Sequence, residues 1–272
     1  MKFISKYTAI PPNAQGFVNY SATENTVWQT LYTRQIKLLP RHACDEFIDG
    51  LHLLNLTIDN IPQLPEVSKV LYDLTGWRVQ AVAALISAKE FFQLLAQRQF
   101  PAATFIRYPE QLNYVQEPDI FHELFGHCPM LTNKIYADFI YQYACLVLKT
   151  PEAQWPLLQR LFWFTVEFGL IQTPDGLRAY GGGILSSIQE TSYSVTSDLP
   201  MRVLFHPLTA LRTPYRIDNL QLIYFVINSY QSLYDLIIDN MQEYIQKAYQ
   251  LGEYPPLFKL EPNNPNIHIL AC

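Results

Sequence analysis

The chain has 272 residues, 49% apolar and 14% aromatic against 16% charged, with a net charge of −5. That length and apolar content suffice for one large domain with a sizeable core, while the acidic balance and the lack of a basic run exclude a nucleic-acid surface. The N-terminus has no apolar h-region, no apolar stretch approaches the roughly 18 residues that span a bilayer, and Cys44, Cys128, Cys145 and Cys272 share no CxxC spacing, which together point to a cytoplasmic protein with free thiols.

Residues 1–20 read as an arm. Over 24–38, Val27, Leu31 and Ile36 recur at helical spacing, and Phe47, Leu51 and Leu54 do so over 42–54. The stretch from Pro65 to Gly76 opens with proline in its first turn and closes on glycine. Ser87-Ala-Lys-Glu90 is a capping box ahead of Phe91, Phe92, Leu94 and Leu95, which predicts a helix over 87–98. Further helices are predicted over 134–148, 151–171 and 229–250. Strand signals are short, at 104–108, 178–180 and 220–226, and 261–266 reads as loop. The expected fold is mostly α with short β strands, a single domain over 21–272.

The segment DIFHELFGHCPML, residues 119–131, nearly spells the H-E-x-x-H of zinc proteases, but His127 comes one residue late after His122. On a regular helix, positions five apart lie about 140° apart, so the two imidazoles cannot share a metal from regular geometry. The expected solution is a helix that starts near Pro118-Asp119, ends at a left-handed Gly126 and is stopped by Pro129, so that His127 bends back. The alternative is a pair of hydrogen-bonded core histidines. Glu167 is the only charge in LFWFTVEFGL, residues 161–170. A carboxylate in such surroundings needs a cation or a proton, unless it faces water. Two histidines and one carboxylate favour a mononuclear iron(II) site for O2 chemistry, whereas zinc hydrolases more often leave one position open. Glu123, beside His122, is either an orienting group or a surface glutamate.

Three long segments carry a resemblance: residues 117–129 (EPDIFHELFGHCP), 163–170 (WFTVEFGL) and 179–187 (AYGGGILSS), supported by DNIPQL at 59–64 and TGWR at 75–78. In this order they resemble the pterin-dependent aromatic amino acid hydroxylases over roughly residues 20–250. The resemblance implies a single-domain catalytic fold and a phenylalanine 4-monooxygenase using Fe(II), a tetrahydropterin and O2. It places the metal ligands and catalytic centre on His122, His127 and Glu167. It places the pterin against Phe91, Leu85, Ile86 and Glu123, and the amino acid against Arg107, Trp163, Gly183 and Ser186, with Glu190 also retained. An arginine suits a carboxylate because its fork binds both oxygens.

Val115, Gln116 and Phe162 depart from the threonine, proline and tyrosine of animal relatives, which concerns pocket polarity rather than the metal. The regulatory and coiled-coil segments of those relatives are not recognisable, so a monomer or weak homodimer is expected, with no membrane partner. Tyrosine or tryptophan hydroxylation is the alternative within the family. Outside it stand a zinc hydrolase using Glu123 as base, against which the extra residue argues, and a helical binding protein with structural histidines.

Overall fold

Ser21 and Glu24 start the first long helix with a reciprocal cap: the Ser21 hydroxyl accepts from Glu24 N–H, and the Glu24 carboxylate accepts from Ser21 N–H. In the computed structural model, which describes residues 5–257, this helix spans Ala22–Ile36 and buries Val27, Trp28 and Leu31. The helix expected over 42–54 runs Asp45–Leu53, after a separate short turn at Leu39–His42. Leu64–Thr75 follows, ending as expected on Gly76, which is left-handed at φ 79°.

β1 (Arg78–Val82) and β2 (Gln99–Ala103) pair in parallel through the helix Ala88–Leu95 between them. Ser87 caps that helix by accepting from Glu90 N–H. The strand expected at 104–108 is therefore displaced to 99–103. Beyond Ala103 the backbone finds partners that are not a strand: Phe105 O accepts from Ile120 N–H at 2.8 Å, and Arg107 N–H donates to Asp119 Oδ2 at 3.0 Å. The arm is anchored on this segment. Tyr7 stacks on Phe105 at 4.3 Å, and the Thr104 hydroxyl donates to Ile10 O.

Lys134–Lys149 and Trp155–Phe162 form the helical floor. The predicted helix over 151–171 does not continue: Phe168 leaves helical geometry at φ −125°, ψ 33°, and the chain enters β3 (Gly169–Thr173). β4 (Gly176–Ala179), β5 (Met201–Leu204) and β6 (Ile223–Ile227) complete a sheet of order β4-β3-β6-β5, with β3 antiparallel to β4 and β6 parallel to both β3 and β5. The helix expected over 229–250 breaks at Asn240 into Tyr230–Asp239 and Met241–Leu251. The loop expected at 261–266 and Cys272 lie outside the described residues. Among the described cysteines, Cys44, Cys128 and Cys145 are free. The fold is mostly helical with short strands, and the segment from Ile120 to Leu131 crosses its core.

Candidate metal centre and active-site cavity

Residues five apart meet on one face where the hydrogen bonding shifts from i−4 to i−5, a single π-turn. His122–His127 is such a turn, closed by Cys128 N–H donating to Glu123 O at 3.2 Å. It brings His122 Nε2 and His127 Nε2 to 3.0 Å. This corrects the expected mechanism: the left-handed glycines are Gly16, Gly76, Gly176 and Gly252, and Gly126 is not among them. Gly126 is required for close approach instead, because a Cβ there would lie 2.7 Å from Gly182 O. The start near Pro118-Asp119 is as expected, with Asp119 Oδ1 accepting from His122 N–H at 3.0 Å.

Glu167 arrives on a second π-turn, Trp163–Glu167, closed by Phe168 N–H donating to Trp163 O at 2.8 Å. Its Oε1 lies 3.2 Å from His127 Nε2 and its Oε2 3.6 Å from His122 Nε2. A first-row divalent ion with bonds of about 2.1 Å at right angles separates adjacent donors by about 3.0 Å, and the 3.0 Å between the imidazole nitrogens, with 3.2 and 3.6 Å from them to the two oxygens of Glu167, suits a shared ion of that size. Glu123 also lies with both histidines inside 4.8 Å, but Glu167 approaches each more closely.

The protonation states suit ligation. Burial pushes Glu167 up, yet the facing His127 and His122 outweigh it and hold the carboxyl below its ordinary range. Burial lowers His122 to about 4, against the pull of Glu167. A neutral His122 carries one ring proton, and its place is set by a relay: the Ser186 hydroxyl donates its only proton to Gly182 O at 2.8 Å, so it must accept from His122 Nδ1–H at 2.9 Å. Nε2 is left with its lone pair toward the centre. Gly182 and Gly183 shape the same wall, since a Cβ at 182 would lie 2.4 Å from the His127 ring and one at 183 would lie 3.0 Å from Glu167 Oε2.

Two of the three donor residues, His122 and Glu167, line a cavity of about 370 Å³ together with Arg107, Trp163, Gly183 and Ser186. The structure thus brings together all four residues expected against the amino acid. Val115, Gln116 and Phe162, the departures, line it too. Asp119 is a residue that sequence reasoning used only as a helix start. It is fully buried and accepts from Arg107 Nε at 2.7 Å and Nη2 at 2.9 Å, leaving Nη1 for another anion. Burial raises the Asp119 carboxyl, but Arg107 and the His122 N–H bring it below its ordinary value. Its local sequence carries no such signal as marked Glu167, since Glu117 stands two residues before it and Glu123 four after.

A separate narrow cleft is lined by Phe91, Ile86, Val82, Pro118 and Glu123 together with all three donors. Leu85 is not among its lining residues, although Ala84 and Ile86 are. Phe91 stands edge-on to Phe162 at 5.5 Å. Burial, then Glu167 and Asp119, push the Glu123 carboxyl well above its ordinary range. A flat aromatic ring and a buried carboxyl beside the donors fit a planar, polar-edged heterocycle.

The profile of the biopterin-dependent aromatic amino acid hydroxylases matches residues 10–260. The phenylalanine-4-hydroxylase of Pseudomonas aeruginosa is 51% identical over 254 residues, covering 93% of this chain and 97% of that protein. The solved phenylalanine hydroxylase of Legionella pneumophila superposes with a TM-score of 0.90 at 64% identity, covering 92% of this chain and all of that one. That of Chromobacterium violaceum, solved with bound iron(III) and 7,8-dihydrobiopterin, gives a TM-score of 0.84 at 40% identity, covering 93% of each chain. A relative so similar over nearly its whole length, and a profile match over most of the sequence, leave one conclusion: the chain belongs to the biopterin-dependent aromatic amino acid hydroxylase family.

Proposed function

We propose that this chain is a phenylalanine 4-monooxygenase that converts L-phenylalanine to L-tyrosine with O2, a tetrahydropterin and a mononuclear iron(II). The observation that supports the reading is that the donors of His122, His127 and Glu167 converge at a cleft lined by Phe91 and Glu123, while His122 and Glu167 also line the cavity that holds Arg107 and Trp163. When bound, iron(II) and a tetrahydropterin would supply the activation of O2 and the two electrons that reduce one of its oxygen atoms while the other is placed on the aromatic ring.

The chain's own residues supply geometry. Arg107, held rigid by Asp119, offers Nη1 to the substrate carboxylate. Trp163, Gly183 and Phe162 bound the space for the ring, and the aromatic walls exclude water. Phe91 presents an aromatic surface to the pterin, Ile86 bounds the same cleft, and Glu123 meets the polar edge of the heterocycle, with Leu85, beside Ile86 in the chain, offering its backbone. His122, with its proton kept on Nδ1 by Ser186, is preset as a neutral ligand.

No helix among the described residues is long and apolar enough to cross a membrane. The reading includes a cytoplasmic enzyme acting as a monomer or weak homodimer, which sedimentation across a concentration series tests. The activity test is anaerobic reconstitution with iron(II), followed by O2, a tetrahydropterin and each aromatic amino acid in turn. Tyrosine formed from phenylalanine at the highest kcat/KM supports the reading. Full activity in His122→Ala or Glu167→Ala would sink the site assignment.

A further inference from the structure

One wall of the substrate cavity is positioned by a residue with no part in metal or pterin binding. Gln221 is 5% exposed, and its polar groups reach three separate parts of the fold. Its Oε1 accepts from the Trp163 indole N–H at 2.9 Å. Its Nε2 donates to Arg216 O at 2.8 Å and to Asn219 O at 3.1 Å. Its backbone N–H donates to Glu190 Oε1 at 3.1 Å. Glu190, on the helix Ile188–Thr196, is 4% exposed, and the Tyr224 hydroxyl donates to the same oxygen.

Trp163 begins the π-turn that ends on Glu167, and it stacks on Tyr215 at 4.3 Å with an interplanar angle of 14°. Trp163, Glu190, Ile217, Leu220 and Gln221 all line the cavity. Only an amide of this length accepts from the indole while donating to two carbonyls. Leucine would do neither, and glutamate would turn an anionic oxygen against both carbonyls. A buried amide engaged on every arm holds its partners in one arrangement.

We propose that Gln221, braced by Glu190, is a positioning residue that decides which aromatic ring the cavity accepts, by holding the Trp163 indole and curling segment 216–221 around its own amide. The inference rests on the phenylalanine reading above and names the device behind its ring preference.

The test compares wild type with Gln221→Leu, Glu190→Leu, Glu190→Gln and Trp163→Phe. It measures kcat and KM for phenylalanine and tryptophan, calorimetric phenylalanine binding to the metal-free protein, and Tm. Loss of one buried hydrogen-bonding hub should raise KM and Kd for phenylalanine about tenfold in Gln221→Leu, with kcat within about threefold and the preference for phenylalanine over tryptophan falling about tenfold. Glu190→Leu should follow it. Glu190→Gln, which keeps an acceptor, should stay within about twofold of wild type. In a Trp163→Phe background, with no indole N–H to hold, Gln221→Leu should change KM by less than about threefold.

KM, Kd and preference all within about twofold of wild type in Gln221→Leu, or a lowered Tm as the only change, would overturn the proposal. If Gln221→Leu is not recovered folded, Gln221→Asn, whose shorter amide cannot span the same partners, carries the same expectation and the same refutation. Absence of tyrosine formation by the wild type would overturn the functional reading instead, and the binding measurement on metal-free protein would still decide the role of Gln221.

Discussion

Ser186→Ala removes the acceptor that keeps the His122 proton on Nδ1. In the wild type the relay runs from His122 Nδ1–H to Ser186 Oγ at 2.9 Å, and from that hydroxyl to Gly182 O at 2.8 Å. Gly182 O loses little, because it also accepts from Ser186 N–H at 3.0 Å. The imidazole is left with a stranded donor, at a cost of about 1–3 kcal/mol. The cheaper tautomer then carries its proton on Nε2, which faces Glu167 Oε2 at 3.6 Å, and an incoming metal must displace it. The predicted outcome is a metal affinity about 10–100-fold weaker, with the fold destabilised by no more than about 1 kcal/mol because only a hydroxyl is lost. Anaerobic competition titration of iron(II), or of cobalt(II) as a spectroscopic substitute, against a chelator of known affinity measures this, with Tm of the metal-free protein as control. Affinity within about twofold of wild type would refute the reasoning, since the tautomer would then be held by something other than Ser186.

Gly182→Ala would set a Cβ 2.4 Å from Cε1 and Nδ1 of His127, whose ring is already packed on Phe100. The ring must move, so the purified variant should hold well under one metal per chain by elemental analysis and lose about 1–3 kcal/mol of stability. Asp119→Ala leaves the Arg107 guanidinium, 5% exposed in the wild type, without its carboxylate. A cost of about 3–5 kcal/mol is expected, read as a fall of roughly 10 °C in Tm, together with a raised KM for the amino acid. The pH dependence of the metal-free protein follows from His122, whose folded pKa is about 4 against an ordinary 6.5. Between these values the unfolded chain binds more protons than the folded one, so stability should rise with pH across that window. His122→Gln should flatten that part of the Tm-against-pH curve.

The residues alone marked a candidate metal site and most of the helices. Aromatic surroundings made His122, His127 and Glu167 the groups in need of a cation, and caps such as Ser87, with stops such as Gly76, marked local boundaries, because capping and left-handed geometry are properties of a few neighbouring residues. Where the helices break was decided by tertiary structure. The helix expected through residue 171 gives way at Phe168 because Gly169 is required in a sheet whose partner, β6, lies more than fifty residues later. The two π-turns belong to the same class: a shift from i−4 to i−5 bonding has no local propensity to announce it and is held by what packs against it, here Gly126 against Gly182 and Gly183 against Glu167. Equally invisible were the pairing of Arg107 with Asp119, the Ser186 relay and the reach of Gln221 to Trp163, since a hydrogen-bond partner distant in the chain is chosen only when the core closes and leaves no buried polar group unpaired. The late histidine of HELFGH was thus legible as an anomaly from the sequence, while its cause, an i−5 turn rather than a left-handed glycine, was set by the packing of the folded core.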